Sequence, residues 1–287
     1  MKLLRYGPRG QERPGLLAAD GTIRDLSALI GDIGPETLSP PTLAALRALD
    51  AQRLPRVDGA PRLGPPVAGV SKMVGIGLNY HEHAREAGAQ APAEPVVFAK
   101  WTSCIAGPDD DIVVPPESTK LDWEVELAIV IGSRARRVGA AEALACVAGY
   151  CVANDVSERQ FQLEHDGRQW DKGKGFDGFG PLGPWLVTAD EVGDPQALEL
   201  WLDVNSERMQ SGRTADMIFP CAALVSYCSR IMTLEPGDVI ITGTPAGVGL
   251  GMKPPRFLRP GDVIELGIEG LGRQRQQVVA WPAPGPA

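Results

Sequence analysis

A chain of 287 residues, 44% apolar and 22% charged, can bury a substantial core and has the composition of a globular protein rather than a disordered or fibrous one. Its net charge of −8, with no basic stripe, argues against a nucleic-acid partner, and no apolar run approaches the ~18 residues of a membrane-spanning helix. Five cysteines, odd in number and without a CxxC pair, read as reduced core residues of a cytoplasmic protein.

The opening MKLLRYG passes into the polar stretch Arg9 to Arg13 without the apolar segment of a signal peptide. Residues 1–62 read as a small N-terminal α/β domain, with short strands about a turn at Asp20-Gly21 and a helix over PTLAALRAL, 41–49. The proline-rich RLPRVDGAPRLGPP that follows reads as a linker. From 67 to 287, short Val- and Ile-rich runs alternate with Gly/Pro turns: VVFAKW, LAIVIG, GYCVAND, PWLVT, LELWLDVN, DVIITG and DVIELGIEG. Most are rich in Val and Ile and four to eight residues long, and so read as strands. One long helix is expected, over Phe219 to Met232, with Leu224, Cys228 and Ile231 on one face. Many strands and few helices predict an α+β, β-rich fold, a sandwich or distorted barrel. The Pro/Ala/Gly tail after Trp281 is expected to fray.

Four segments carry chemistry. In LDWEVELAIVIG, read as one strand, Glu124 and Glu126 share a face with Ala128 and Val130. Two such carboxylates suit a divalent cation, and the alternative is an edge strand with both in solvent. Asp155, after the strand GYCVAND, is a candidate third ligand. In GLNYHEHAREAG, His83 and Glu86 lie three apart on a helix starting near Tyr80, either a base with its orienting carboxylate or a surface pair. In WDKGKGFDGFG, Lys174 sits between glycines with no long neighbours to cover it, an oxyanion binder or a solvated loop lysine. The turn ITGTPAGVG lacks the GK[ST] ending of a phosphate-binding loop. Residues 160–173, joining Asp155 to the lysine segment, are expected to act as a lid.

Six motifs in order, GLNYHEHARE, DWEVELAIVIG, GYCVANDVSERQFQ, GKGFDGFGPLGP, LEPGDVIITGTPAGVG and LRPGDVIELGIEGLG, resemble the fumarylacetoacetate hydrolase family over residues 70–280. The resemblance implies a β-rich C-terminal catalytic domain, a homodimer, and a Mg²⁺ site (Mn²⁺ or Ca²⁺ being alternatives) held by Glu124, Glu126 and Asp155. It implies that His83 and Glu86 activate water and that Lys174 stabilises an oxyanion. Arg159, Gln162 and Thr244 then bind a 2-oxo acid substrate. Two departures fall where selectivity is set: Lys100-Trp101 replaces the family's Lys-Pro, and GKGFDGF replaces GKSFDTF. The small N-terminal segment adds a likeness to members that act on 2,4-diketo-3-deoxy sugar acids of the fuconate or rhamnonate type.

The reaction so implied is hydrolytic C–C cleavage of a 2,4-dioxo acid to pyruvate and a carboxylic acid. The alternatives are an isomerase, decarboxylase or lyase using the same enolate chemistry, and a non-catalytic metal-binding module.

Overall fold

The computed structural model describes residues 1–282, so most of the C-terminal tail lies outside the described residues. The chain opens with β1 (Lys2–Tyr6), β2 (Arg13–Leu17) and β3 (Ile23–Asp25), then α1 (Pro40–Arg47) and β4 (Leu63–Gly64). It continues through β5 (Met73–Gly77), α2 (His81–Glu86), β6 (Val96–Lys100), β7 (Ile105–Ala106), β8 (Ile112–Val114), β9 (Leu121–Asp122) and β10 (Val125–Ile131). Next come α3 (Ala140–Ala143), β11 (Val147–Asn154), β12 (Ser157–Glu158), α4 (Arg159–Leu163), α5 (Trp170–Lys174), β13 (Gly180–Thr188) and α6 (Ala189–Val192). The last elements are β14 (Glu199–Val204), β15 (Glu207–Arg213), α7 (Cys221–Ile231), β16 (Val239–Ile241), β17 (Val263–Ile268) and β18 (Gly272–Ala280).

An 11-stranded sheet runs β3-β2-β1-β13-β11-β10-β16-β5-β6, with β4 on β1 and β7 on β13; a five-stranded sheet runs β15-β14-β17-β18-β8. β14, β17 and β18 pack across β10, β11 and β13, giving a two-layer sandwich. Neither sheet closes into a barrel among the described residues. β10 and β11 occupy the middle of the large sheet, and every residue of both is buried. This explains why neither reads as a simple alternation of apolar and polar residues: β10 is a nearly continuous Val/Ile/Leu run, and β11 is built of small and apolar residues up to Asn154.

The Asp20-Gly21 turn joins β2 to β3, and α1 covers residues 41–47 of the helix expected over 41–49. The proline-rich stretch is more than a connection, since β4 within it pairs with β1. β1 in turn pairs with β13, so the first strands extend the large sheet. In α7, Leu224 and Cys228 are fully buried, but Ile231 is 57% exposed because the helix ends there. The strand expected over Leu121–Gly132 is interrupted at Trp123 and Glu124, with β9 leaving to pair with β12 instead.

All five cysteines are free. Burial pushes Cys104 to about 11 and Cys151, Cys221 and Cys228 to about 12, where thiolate is scarce at neutral pH. A disulfide thiol reagent at pH 8 should therefore modify only the half-buried Cys146 in the native protein and all five after denaturation. Fast labelling of two or more thiols in the native state would contradict this packing.

Candidate active site

The antiparallel register of β10 and β11 sets Val125 opposite Asn154, so Glu124 before one strand meets Asp155 after the other; the Asp155 N–H donates to the Glu124 carbonyl at 2.9 Å. Glu126, two residues along, shares Glu124's side of the chain. The three carboxylates are buried, and a ligand oxygen from each lies within 4.8 Å of the others. The edge-strand alternative is thereby excluded.

Three buried cations face this group. Lys174 Nζ donates to Glu124 Oε2 at 2.7 Å and to Asp155 Oδ2 at 2.6 Å. Lys100 Nζ, at the end of β6, donates to Asp155 Oδ1 at 2.6 Å and to the carbonyls of Lys174 and Phe179. Arg159 Nη2 lies 2.7 Å from Glu124 Oε1, without an aligned hydrogen bond, while Nε donates to Asp122 Oδ2 at 2.8 Å and Nη1 to Gln162 Oε1 at 3.0 Å. The carboxylate of Glu158 accepts from the N–H groups of Thr119, Lys120 and Phe161, which fixes the start of α4 and places Arg159 and Gln162 on one face of it.

The charges divide unequally. Burial pushes Glu124 up, but Lys174 and Arg159 outweigh it and hold its carboxyl far below the ordinary range. Glu126 has no ion-pair partner among the described residues and accepts a hydrogen bond from the Gly243 N–H at 2.7 Å. Burial, and then the charges of Asp155 and Glu124, push it well up. For Lys174, burial pulls the ammonium down, but Asp155 and Glu124 more than offset it and keep the proton on. A buried carboxylate with two carboxylate neighbours and no cation of its own fits a divalent metal, and the all-oxygen donor set suits a hard ion such as Mg²⁺ or Mn²⁺.

A cavity of about 450 Å³ opens onto this cluster and is also lined by His83, Glu86, Arg159, Gln162, Lys174 and Thr244. His83 Nδ1 lies 3.2 Å from Glu86 Oε2, and Glu86 accepts from the Gly247 N–H at 3.0 Å. Leu78, in the turn before α2, adopts a φ of 54°, a conformation costly for a branched side chain. Asn79 holds that turn by donating to the carbonyls of Thr242 and Phe219. Thr244 Oγ1 donates to the Val125 carbonyl at 2.9 Å and accepts from Gln210 Nε2 at 2.7 Å.

All nine sequence-derived candidates thus come together, Asp155 behind the cavity wall and the other eight lining it. Lys174 is not a solvated loop lysine; it ends α5 and is 2% exposed. Gly173 permits this placement, because a Cβ there would lie 2.4 Å from the Glu158 carbonyl oxygen. Residues 160–173 form most of α4 and α5, and Leu163 and Trp170 from them line the cavity. The sequence reading missed three supports. Lys100 was visible only as a motif departure. Asp122, which accepts from Arg159 and from the N–H groups of Gly249 and Leu250, stood inside a quoted motif without a role. Gln210 lies on β15 and gives no local signal.

The chain belongs to the fumarylacetoacetate hydrolase family: residues 72–279 match the family described as fumarylacetoacetate (FAA) hydrolase C-terminal. A protein of Burkholderia multivorans that carries the name "Putative hydrolase" is 61% identical over 277 residues, covering 96% of this chain and 98% of that one. Maleylpyruvate hydrolase from Sphingobium sp. SYK-6, solved with manganese(II) and pyruvate, is 30% identical with a TM-score of 0.80, covering 98% of this chain and 99% of that one. The 5-carboxymethyl-2-hydroxymuconate delta-isomerase from Mycobacterium smegmatis is 33% identical with a TM-score of 0.76, covering 99% and 100%.

Lys100→Met would leave Asp155 Oδ1 and two carbonyls without their buried donor. In chelator-containing buffer it should cost about 3–5 kcal/mol in a denaturant titration, the range for breaking a buried ion pair. A loss below about 1 kcal/mol would show that Asp155 does not depend on Lys100.

Proposed function

We propose that the protein is a divalent-metal-dependent hydrolase that cleaves the C3–C4 bond of a 2,4-dioxo acid, giving pyruvate and a carboxylic acid. The observation that carries this reading is a His–Glu pair lining the same cavity as Glu124 and Glu126, two of three clustered carboxylates, and a buried ammonium. The manganese and pyruvate held by the Sphingobium hydrolase support a 2-oxo acid beside a divalent ion. Glu124, Glu126 and Asp155 would hold Mg²⁺ or Mn²⁺, which when bound supplies a Lewis acid for the substrate's 2-oxo acid head.

Glu86 holds the Nδ1–H of His83, leaving Nε2 to take a proton from water. The water oxygen bonds to C4. The C3–C4 bond then breaks, its electron pair passing to C3 as the enolate of pyruvate. Lys174, kept protonated by its carboxylate neighbours, stabilises the developing negative charge, and protonation at C3 completes pyruvate. Arg159, Gln162 and Thr244 orient the carboxylate and the 2-oxo group. Trp170 and Leu163, on the lid segment, would exclude bulk water.

The isomerase from M. smegmatis supports a second reading, in which the same residues move a proton through an enolate and leave the carbon chain whole. Isotope labelling separates the two. With a 2,4-dioxo acid in ¹⁸O-water, label should enter the carboxylate made from C4, beyond an enzyme-free exchange control, with one pyruvate per turnover. His83→Ala should lower kcat by roughly 10²–10⁴. Substrate loss with the skeleton intact would replace hydrolase by isomerase.

A further inference from the structure

We propose that the cavity selects a 2,4-dioxo acid whose C4 substituent is an uncharged hydrocarbon tail, rather than one ending in a carboxylate or carrying several hydroxyls. This rests on the hydrolase reading above and adds the substrate class. The 2-oxo acid head takes the end of the cavity bearing Lys174, Arg159 and Gln162. Besides His83, Glu86, Thr244 and the carboxylates of Glu124 and Glu126, the rest of the wall is apolar and includes Leu78, Phe98, Leu163, Trp170, Val248 and Leu250.

That wall is built, not incidental. Phe98 and Trp170 pack with ring centroids 5.6 Å apart. Trp170 lies so close on the Gly77 backbone that a Cβ at Gly77 would stand 2.3 Å from its ring. The Lys174 ammonium lies 5.3 Å from the Phe98 ring centroid, so the apolar wall begins directly beside the charged end.

A second carboxylate on the tail would find no counter-ion. Among the described lining residues Arg159 and Lys174 are the only Lys or Arg side chains, and both are already engaged with Asp122, Glu124 and Asp155. His83 has Nδ1 committed to Glu86 and must be neutral to accept a proton from water. The other charged side chains on the cavity wall are the carboxylates of Glu86, Glu124 and Glu126, all of the wrong sign. A buried unpaired carboxylate, or a hydroxyl against an apolar wall, loses hydration without replacement, whereas each methylene gains from leaving water.

The test is equilibrium binding to the Mg²⁺-loaded protein, measured by calorimetry, of non-cleavable 2-oxo acids with equal chain length. 2-Oxooctanoate should bind at least about tenfold more tightly than 2-oxooctanedioate, the scale of discrimination by an apolar pocket. A 2-oxo-3-deoxyoctonate should bind as weakly as the diacid. Leu250→Arg should narrow or invert the preference, and Trp170→Ala should weaken 2-oxooctanoate alone. Equal or tighter binding of the diacid or the polyol, or no binding of any of the three, would overturn the proposal. Pyruvate release from 2,4-dioxooctanoate is read separately: its absence with the binding preference intact would sink the hydrolase reading and leave the apolar selectivity standing.

Discussion

Three carboxylates within 4.8 Å of one another, all out of water, impose the constraint on which the rest of this structure depends. Like charges so close in a low-dielectric interior cannot all stay ionised without compensation. Lys100, Lys174 and Arg159 supply it, each buried and each held by more than one acceptor or ion-pair partner. With Asp122 counted, four carboxylates face three cations, and the unpaired one is Glu126. In the proposed reading a divalent ion turns that single negative excess into a single positive one, which suits an anionic substrate.

The fold holds this arrangement by placing the start of β10 and the end of β11 side by side at the centre of the large sheet. Their backbones are locked on both edges and packed on both faces, so the carboxylates have little freedom to move apart. Side chains from distant strands secure the same point: Gln210 accepts from the Val125 N–H, and Asn154 accepts from the Glu124 N–H while donating to Gln276. Most of the other cavity residues come from the short helices α2, α4 and α5 and from the segment after β16.

Much of this was legible in the sequence because it is local. The DWEVE pattern placed two carboxylates on one side of an apolar run, and the His83–Glu86 spacing put both on one face of α2. The strands of the large sheet were readable from their Val and Ile content. What remained hidden depends on contacts made across long separations. Lys174 sits between glycines and reads as exposed, yet it is buried because α5 folds against β6 and β12. Lys100 closes its bonds 55 to 79 residues away, and Gln210 reaches Thr244 across 34. The exposure of Ile231 escaped helical spacing because periodicity says nothing about where a helix leaves the core.

Central to the proposed reading is that Glu126, without an ion-pair partner among the described residues, would meet a metal ion. Calorimetric titration of the chelator-treated protein with Mn²⁺, for the native chain and for Glu126→Gln, addresses it directly, since glutamine keeps the shape and removes the charge. The account predicts one ion bound per chain, and an affinity lowered by more than about tenfold in Glu126→Gln with the fold unchanged by circular dichroism. Equal affinity in the two proteins, or no binding by the native chain, would contradict it.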